Sequence, residues 1–198
     1  MIEAVKRPFP RSLLAICASF MVERNNTLIK GKTMFNVATE IGRLLRSTIN
    51  EAQVANNDRG KGRFTASIIL AGQIKGMAPR LFMIYPEGNF IEASTDTPFL
   101  QIGETKYGRP IIIRAYERDM SFEAAVKLLM VSFDSTLKAN LSVGMPLDLL
   151  VIGKDQFEPT HEHRVTQDDP YFSEISSNWG DALRSAFHSL PDYSFNFK

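Results

Sequence analysis

FTASIILAGQIKGMAPRLFMIYPEGNFIEA, residues 64–93, decides the fold class of this chain. Its first part, Phe64 to Gly72, is a run of β-branched and apolar residues, the composition of a strand buried on both faces. Arg80-Leu81-Phe82-Met83-Ile84-Tyr85 is a second such run. The link Lys75-Gly76-Met77-Ala78-Pro79 is short enough to fold the two into an antiparallel hairpin. Pro86-Glu87-Gly88-Asn89 carries turn chemistry, and Phe90-Ile91-Glu92-Ala93 returns as a third strand. Strand, hairpin, turn and strand with no helix between them is a meander. That argues against a doubly wound parallel sheet, whose strands need crossover helices.

Working outward, the segment before this meander is helical from Thr33. Phe35, Ala38, Ile41, Leu45, Thr48, Ile49 and Ala52 follow 3- and 4-residue steps, and the helix is expected to end in the polar run Asn56-Asn57-Asp58-Arg59-Gly60. After the meander, Asp119 or Ser121 caps a second helix whose apolar face is Phe122, Val126, Leu129, Met130, Phe133 and Leu137, stopping near Asn140 to Gly144. Leu147 to Ile152 is a buried strand, closed by Gly153-Lys154-Asp155, and Glu158 to Val165 pairs back onto it. A short helical pattern runs from Asn178 to Ser189 and ends at Pro191. Helices flanking antiparallel strands make an α+β layered domain. No repeat, low-complexity tract or linker divides the 198 residues, so residues 1–198 are read as one domain.

Composition excludes several functions. Hydrophobic residues are 44% and charged residues 23%, as in ordinary globular domains. A formal net charge of +1 gives no electrostatic reason to expect nucleic acid or an anionic membrane as partner. Cys17 is the single cysteine, which rules out an intrachain disulfide framework or a thiolate-rich metal site and fits a reducing cytoplasm. Lys6 and Arg7 before the apolar stretch Leu13 to Val22 resemble the start of a signal peptide. Pro8, Pro10 and Arg11 crowd that stretch, Glu23-Arg24-Asn25-Asn26 is a poor cleavage site, and the stretch is too short to span a bilayer. It is read as a buried helix or strand.

Three further stretches carry a family resemblance: TPFLQIGETKYGRPI at 97–111, SFDSTLKANLSVGMPLDLLVI at 132–152, and DDPYFSEISSNWGDALRSAF near the carboxy terminus. With the hairpins of residues 64–93, they resemble the Anbu family, bacterial "ancestral β subunit" relatives of the proteasome and the HslV protease. The likeness runs in register from about Thr33 to Asp192. It implies the N-terminal-nucleophile hydrolase fold, an αββα sandwich of two antiparallel sheets between helical layers. It also implies a cytoplasmic subunit of a homo-oligomer, an open helical ring, acting on peptide or protein substrates without cofactor or metal. An ATPase partner is left undetermined.

In such enzymes the first residue of the mature chain, a threonine or serine, attacks the scissile carbonyl. Its own α-amine, which titrates at roughly 8, takes the proton, while a lysine and a carboxylate tune that amine. By the resemblance, Gly103 and Glu104 fall at the turn expected to supply oxyanion-hole N–H groups. Ser142, Val143 and Gly144 fall in a loop that places a serine near the nucleophile's amine. Gly103-Glu104 also reads as an ordinary strand-to-helix turn, and Ser142 as a cap at the end of the second helix.

The chain departs from the family at its start. Met1-Ile2-Glu3-Ala4 offers no threonine or serine at position 1 or 2, and the Asp- and Lys-bearing segments have no counterpart. Lys32-Thr33-Met34-Phe35 imitates the lysine segment but runs straight into the helix. Residues 1–28 are therefore left unplaced, the fold is expected to be incomplete at the N-terminus, and no catalytic residue is assigned. A misassigned start or frame error, a truncated remnant, and a natural non-catalytic subunit are the three readings; the first two predict exposed sheet edges and poor solubility. The function read from the sequence is a proteasome-type peptidase subunit lacking its nucleophile, with a non-catalytic assembly or regulatory subunit as the alternative. Two other groupings are read as structural. Asp134 and Lys138 form an i,i+4 surface ion pair worth about 0.3–0.5 kcal/mol. His161 and His163 share a strand face with no third metal ligand in reach, and His188 sits near a helix end.

Overall fold

The computed structural model describes residues 2–6, 12–17, 33–56 and 64–195. The polar run at 57–60 and the Lys32 position lie outside them. In chain order the elements are β1 (Ile2–Lys6), β2 (Ser12–Cys17), α1 (Met34–Asn56), β3 (Ile68–Gly72), β4 (Arg80–Ile84), β5 (Phe90–Glu92) and β6 (Phe99–Ile102). They continue as α2 (Arg109–Ala115), α3 (Phe122–Ala139), β7 (Leu147–Gly153), β8 (His161–Val165) and α4 (Pro170–His188).

The meander forms as read. β3 pairs antiparallel with β4, Leu70 opposite Phe82, and β4 with β5, Met83 opposite Ile91. Gly88 sits at φ +86° in the turn, the left-handed region that glycine enters without a Cβ penalty. Tyr85 N–H donates to Asn89 O and Gly88 N–H to Tyr85 O, both at 2.9 Å. β3 is shorter than the sequence suggested, because residues 64–67 precede the ladder without pairing.

The second sheet has the order β6-β1-β2-β7-β8, with every neighbouring pair antiparallel. β1 and β2 thus take two of its inner places, and the backbone of residues 2–6 and 12–17 is strand rather than helix.

Period-2 alternation sorts the side chains into three cores stacked between four layers. On β4, Phe82 meets Met34 and Ala38 of α1, while Leu81 turns the other way to Ala93 and Leu100 between the sheets. On β6, Leu100 faces the other sheet, while Phe99 joins Leu147, Leu149 and Val151 of β7 beneath α3. α1 lies on β4 and β5, α3 lies against β2, and α2 and α4 pack on α3. The result is an αββα sandwich. Gln73 ties the sheets together: its Nε2 donates to Gly153 O at 2.8 Å and to Gln156 O, and its Oε1 accepts from Asp155 N–H at 2.9 Å.

Two helices differ from their sequence reading. The buried stripe of α1 is Met34, Val37, Ala38, Gly42 and Ile49, so Phe35 and Thr48 face out. The stripe is rotated because Gly42, with no side chain, sits inside it. α4 begins at Pro170, not near Asn178. Asp169 is its N-cap, accepting from Phe172 N–H at 2.8 Å, and Pro170 suits the first turn, where its missing N–H would have no partner.

The Phe172 N–H first, and then His163 at 2.8 Å, hold the Asp169 carboxyl below its ordinary range. A depressed carboxyl stabilises the fold above the unfolded pKa of about 4 and loses that contribution as pH falls through the folded value. Asp169→Ala is expected to cost about 1 kcal/mol near neutral pH. Urea titrations should show that difference shrinking below about pH 4; a constant difference would count against the capping charge.

Candidate functional site

Antiparallel register gathers four strand ends at one end of the five-stranded sheet. Ile2, at the start of β1, lies opposite Ile102, the last residue of β6. On its other side Ile2 lies opposite Cys17, the last residue of β2, and Cys17 lies opposite Asp148 near the start of β7. The beginning of the chain therefore stands beside the turn that follows β6 and the loop that enters β7. These two connections hold all five residues singled out from the sequence: Gly103 and Glu104 in the first, Ser142, Val143 and Gly144 in the second.

Gly103 takes φ +85°, so this turn needs glycine on conformational grounds. It breaks β6 before α2, whose N-cap is Gly108. Glu104 Oε1 accepts from Lys106 N–H at 2.9 Å, and its Oε2 accepts from Asn140 Nδ2 at 2.8 Å. Asn140 is the C-cap of α3, its N–H returning to Thr136 O. Asn140 Oδ1 accepts from both Ser142 N–H at 2.8 Å and Ser142 Oγ at 2.7 Å. Because a backbone N–H can only donate, it fixes which end of the Asn140 amide is oxygen and turns the NH2 toward Glu104. Val143 N–H donates to Asn140 O at 3.3 Å, while Gly144 has open space around it.

The structure thus joins the two sequence-flagged segments through a residue that sequence reading treated only as a helix end. Asn140 carried a signal, an amide side chain at a helix terminus, but its partner lies 36 residues away in the chain. Ser142 does not cap α3; its hydroxyl serves Asn140. That also limits its chemistry, because an amide oxygen is no base and cannot take the hydroxyl proton as a nucleophile's activator must.

Residues read as structural lie elsewhere. Asp134 is 3% exposed, so its contact with Lys138 Nζ at 3.0 Å is not a surface pair. Lys138 Nζ also lies 3.4 Å from Ser176 O of α4, a contact 38 residues away that helical spacing cannot show. His161 and His163 stack with ring centroids 6.3 Å apart on the exposed strand β8. Among the described residues no group of three or more His, Cys, Asp or Glu is placed to hold a metal ion, and no helix is long and apolar enough to cross a membrane. His188 packs edge-on against Phe187 in the last turn of α4.

Comparison with known proteins bears on this geometry. The family model described as Proteasome subunit matches residues 25–152. Comparison with curated proteins finds no match. Among solved structures, Anbu from Yersinia bercovieri is 31% identical with a TM-score of 0.80, covering 98% of this chain and 99% of that one. Anbu from Hyphomicrobium sp. strain MC1 is 38% identical with a TM-score of 0.76, covering 96% and 85%. The Pseudomonas aeruginosa protein described as "Helical Assembly of the Anbu Complex" is 35% identical with a TM-score of 0.79, covering 98% and 85%.

Proposed function

This chain belongs to the Anbu family of proteasome-like subunits, and from that premise we propose that it is a self-associating, cytoplasmic proteasome-type subunit in which these 198 residues do not themselves perform peptide hydrolysis. The reading rests on one observation above the others. The register sets Ile2 beside Ile102 and the Gly103 turn, at the end of the sheet where the family's chemistry calls for a hydroxyl and a free amine on the first residue. Met1 and Ile2 carry no hydroxyl. Ser142 is hydrogen-bonded to an amide oxygen. Gly103 holds a left-handed turn after β6, but N–H donors without a nucleophile have no tetrahedral intermediate to stabilise.

Self-association is carried over from the helical assembly of the Pseudomonas aeruginosa relative. The rival reading is an active peptidase whose nucleophile lies in coding sequence ahead of Met1. One experiment separates the two. The 198-residue protein is incubated with a peptide vinyl sulfone or epoxyketone, which modifies N-terminal-nucleophile hydroxyls, and its mass is measured. We expect no adduct and no cleavage of fluorogenic peptides. A stoichiometric adduct would overturn the proposal.

A further inference from the structure

The last turn of α3 and the middle of α4 do not close on each other. Between them lies an open cavity of about 460 Å³, within the size range of small-ligand sites. Ser173, Ser177, Gly180 and Arg184 line it from α4 at steps of four, three and four residues, which is one face of that helix. Lys138 lines it from α3, and Gln167 from the segment before α4. A stripe of small residues ordinarily lets two helices approach closely. Here it does not. Outside the backbone of α4 itself, a Cβ on Gly180 would have a single neighbour within 4 Å among the described residues, Arg184 Nη1 at 3.7 Å, and no atom of α3. Glycine in a helix interior costs stability relative to alanine, and no close contact in this structure demands it. What it leaves is room on the cavity floor.

Two cations bracket that floor. Lys138 Nζ stands 3.0 Å from Asp134 Oδ2 and 3.4 Å from Ser176 O, which occupies two of its three N–H donors. Arg184 bonds Asp181 through Nη2 and carries Nη1 back over Gly180, as helical side chains lean toward the amino terminus. Ser176 and Gly180 are about 6 Å apart along the helix axis, so the two charged tips stand about one turn apart. No hydrogen bond among the described residues engages the hydroxyls of Ser173 and Ser177 or the Gln167 amide. None of the described residues lining the cavity is acidic; Asp134 and Asp181 hold the cations from outside it. We infer that this cavity binds the phosphate group of a small molecule, held between Lys138 and Arg184 over Gly180, with Ser173 and Ser177 as further donors. Two cations and several hydroxyls suit the three terminal oxygens of a phosphate better than the two of a carboxylate. The inference holds whether or not the chain hydrolyses peptides or self-associates.

The test uses the full chain in phosphate-free buffer at constant ionic strength. Equilibrium dialysis against radiolabelled inorganic phosphate is expected to show saturable binding that an equal concentration of acetate leaves undiminished. Arg184→Ala removes an exposed side chain, so the fold is kept, and should weaken binding at least about tenfold. Gly180→Leu should abolish binding by filling the floor, with a melting temperature unchanged or higher. Phenyl phosphate separates the two sources of the group. Tighter competition than inorganic phosphate identifies an ester whose organic part meets Phe172 in the cavity wall, and equal or weaker competition identifies free phosphate. The proposal is overturned by no saturable binding below about 20 mM, by equal displacement with acetate, or by binding that either variant retains in full.

Discussion

Gly42→Ala lowers the melting temperature by about 5–10 °C, a net loss of about 2–3 kcal/mol for a domain of this size. On helix propensity alone the change should stabilise α1, by about 1 kcal/mol. Packing reverses the sign. A Cβ at Gly42 would fall far inside contact distance of Gly88 O and 3.1 Å from Gly88 C, both backbone atoms. The neighbour cannot swing aside, because the turn is closed by hydrogen bonds between Tyr85 and Asn89 and between Gly88 and Tyr85. Relief requires lifting α1 from the meander, which opens the cluster of Met34, Ala38 and Phe82. Gly144→Ala is the control: nothing lies within 4 Å of the added carbon, and a change within about 0.5 kcal/mol is expected. Thermal melts decide the matter. A Gly42→Ala protein as stable as the wild type would mean that α1 does not seat on the turn at backbone distance.

The same close approach explains where the sequence was legible and where it was not. Residues 64–93 were readable because strand composition and turn chemistry are local, and both survive into the fold. The stripe of α1 keeps Ala38 and Ile49 but loses Phe35 and Thr48, because Gly42 contributes no hydrophobicity to a periodic pattern although its backbone lies against Gly88. For α4, Asp169-Pro170 marks the N-terminus, yet the apolar periodicity that signals a helix is weak until Trp179. Asp134 failed for a different reason. Its spacing to Lys138 describes a helical pair correctly, but whether the carboxylate is wet depends on the elements packed around α3, which come from distant parts of the chain. Of the candidate site, the two connecting segments were found through family likeness. The residue joining them could not be, since a hydrogen bond between Asn140 and Glu104 has no signature in either local sequence.

That bond yields the second large effect. Asn140→Asp is expected to destabilise the protein by about 2–3 kcal/mol at pH 7, more than Asn140→Ala. Alanine removes one donor to Glu104 and leaves the Ser142 N–H to find water. Aspartate keeps an acceptor for Ser142 but sets a carboxylate oxygen where an N–H stood, 2.8 Å from Glu104 Oε2. Two carboxylates at that separation repel and relax by holding one proton between them. The folded pair binds that proton more tightly than the unfolded chain, so the aspartate variant gains stability as pH falls and loses it as pH rises. The order of the two variants should therefore reverse in mild acid, where Asn140→Asp again donates to Glu104 while Asn140→Ala cannot. Urea titrations at pH 7 and pH 4.5 read the reversal directly. A variant pair keeping the same order at both values would mean that Glu104 and Asn140 do not touch, and that the turn after β6 and the loop before β7 are independent. If the order reverses, the contact is real, and the two segments at the chain's starting end form one rigid unit. Such a unit would hold its shape whether or not a nucleophile stands beside it.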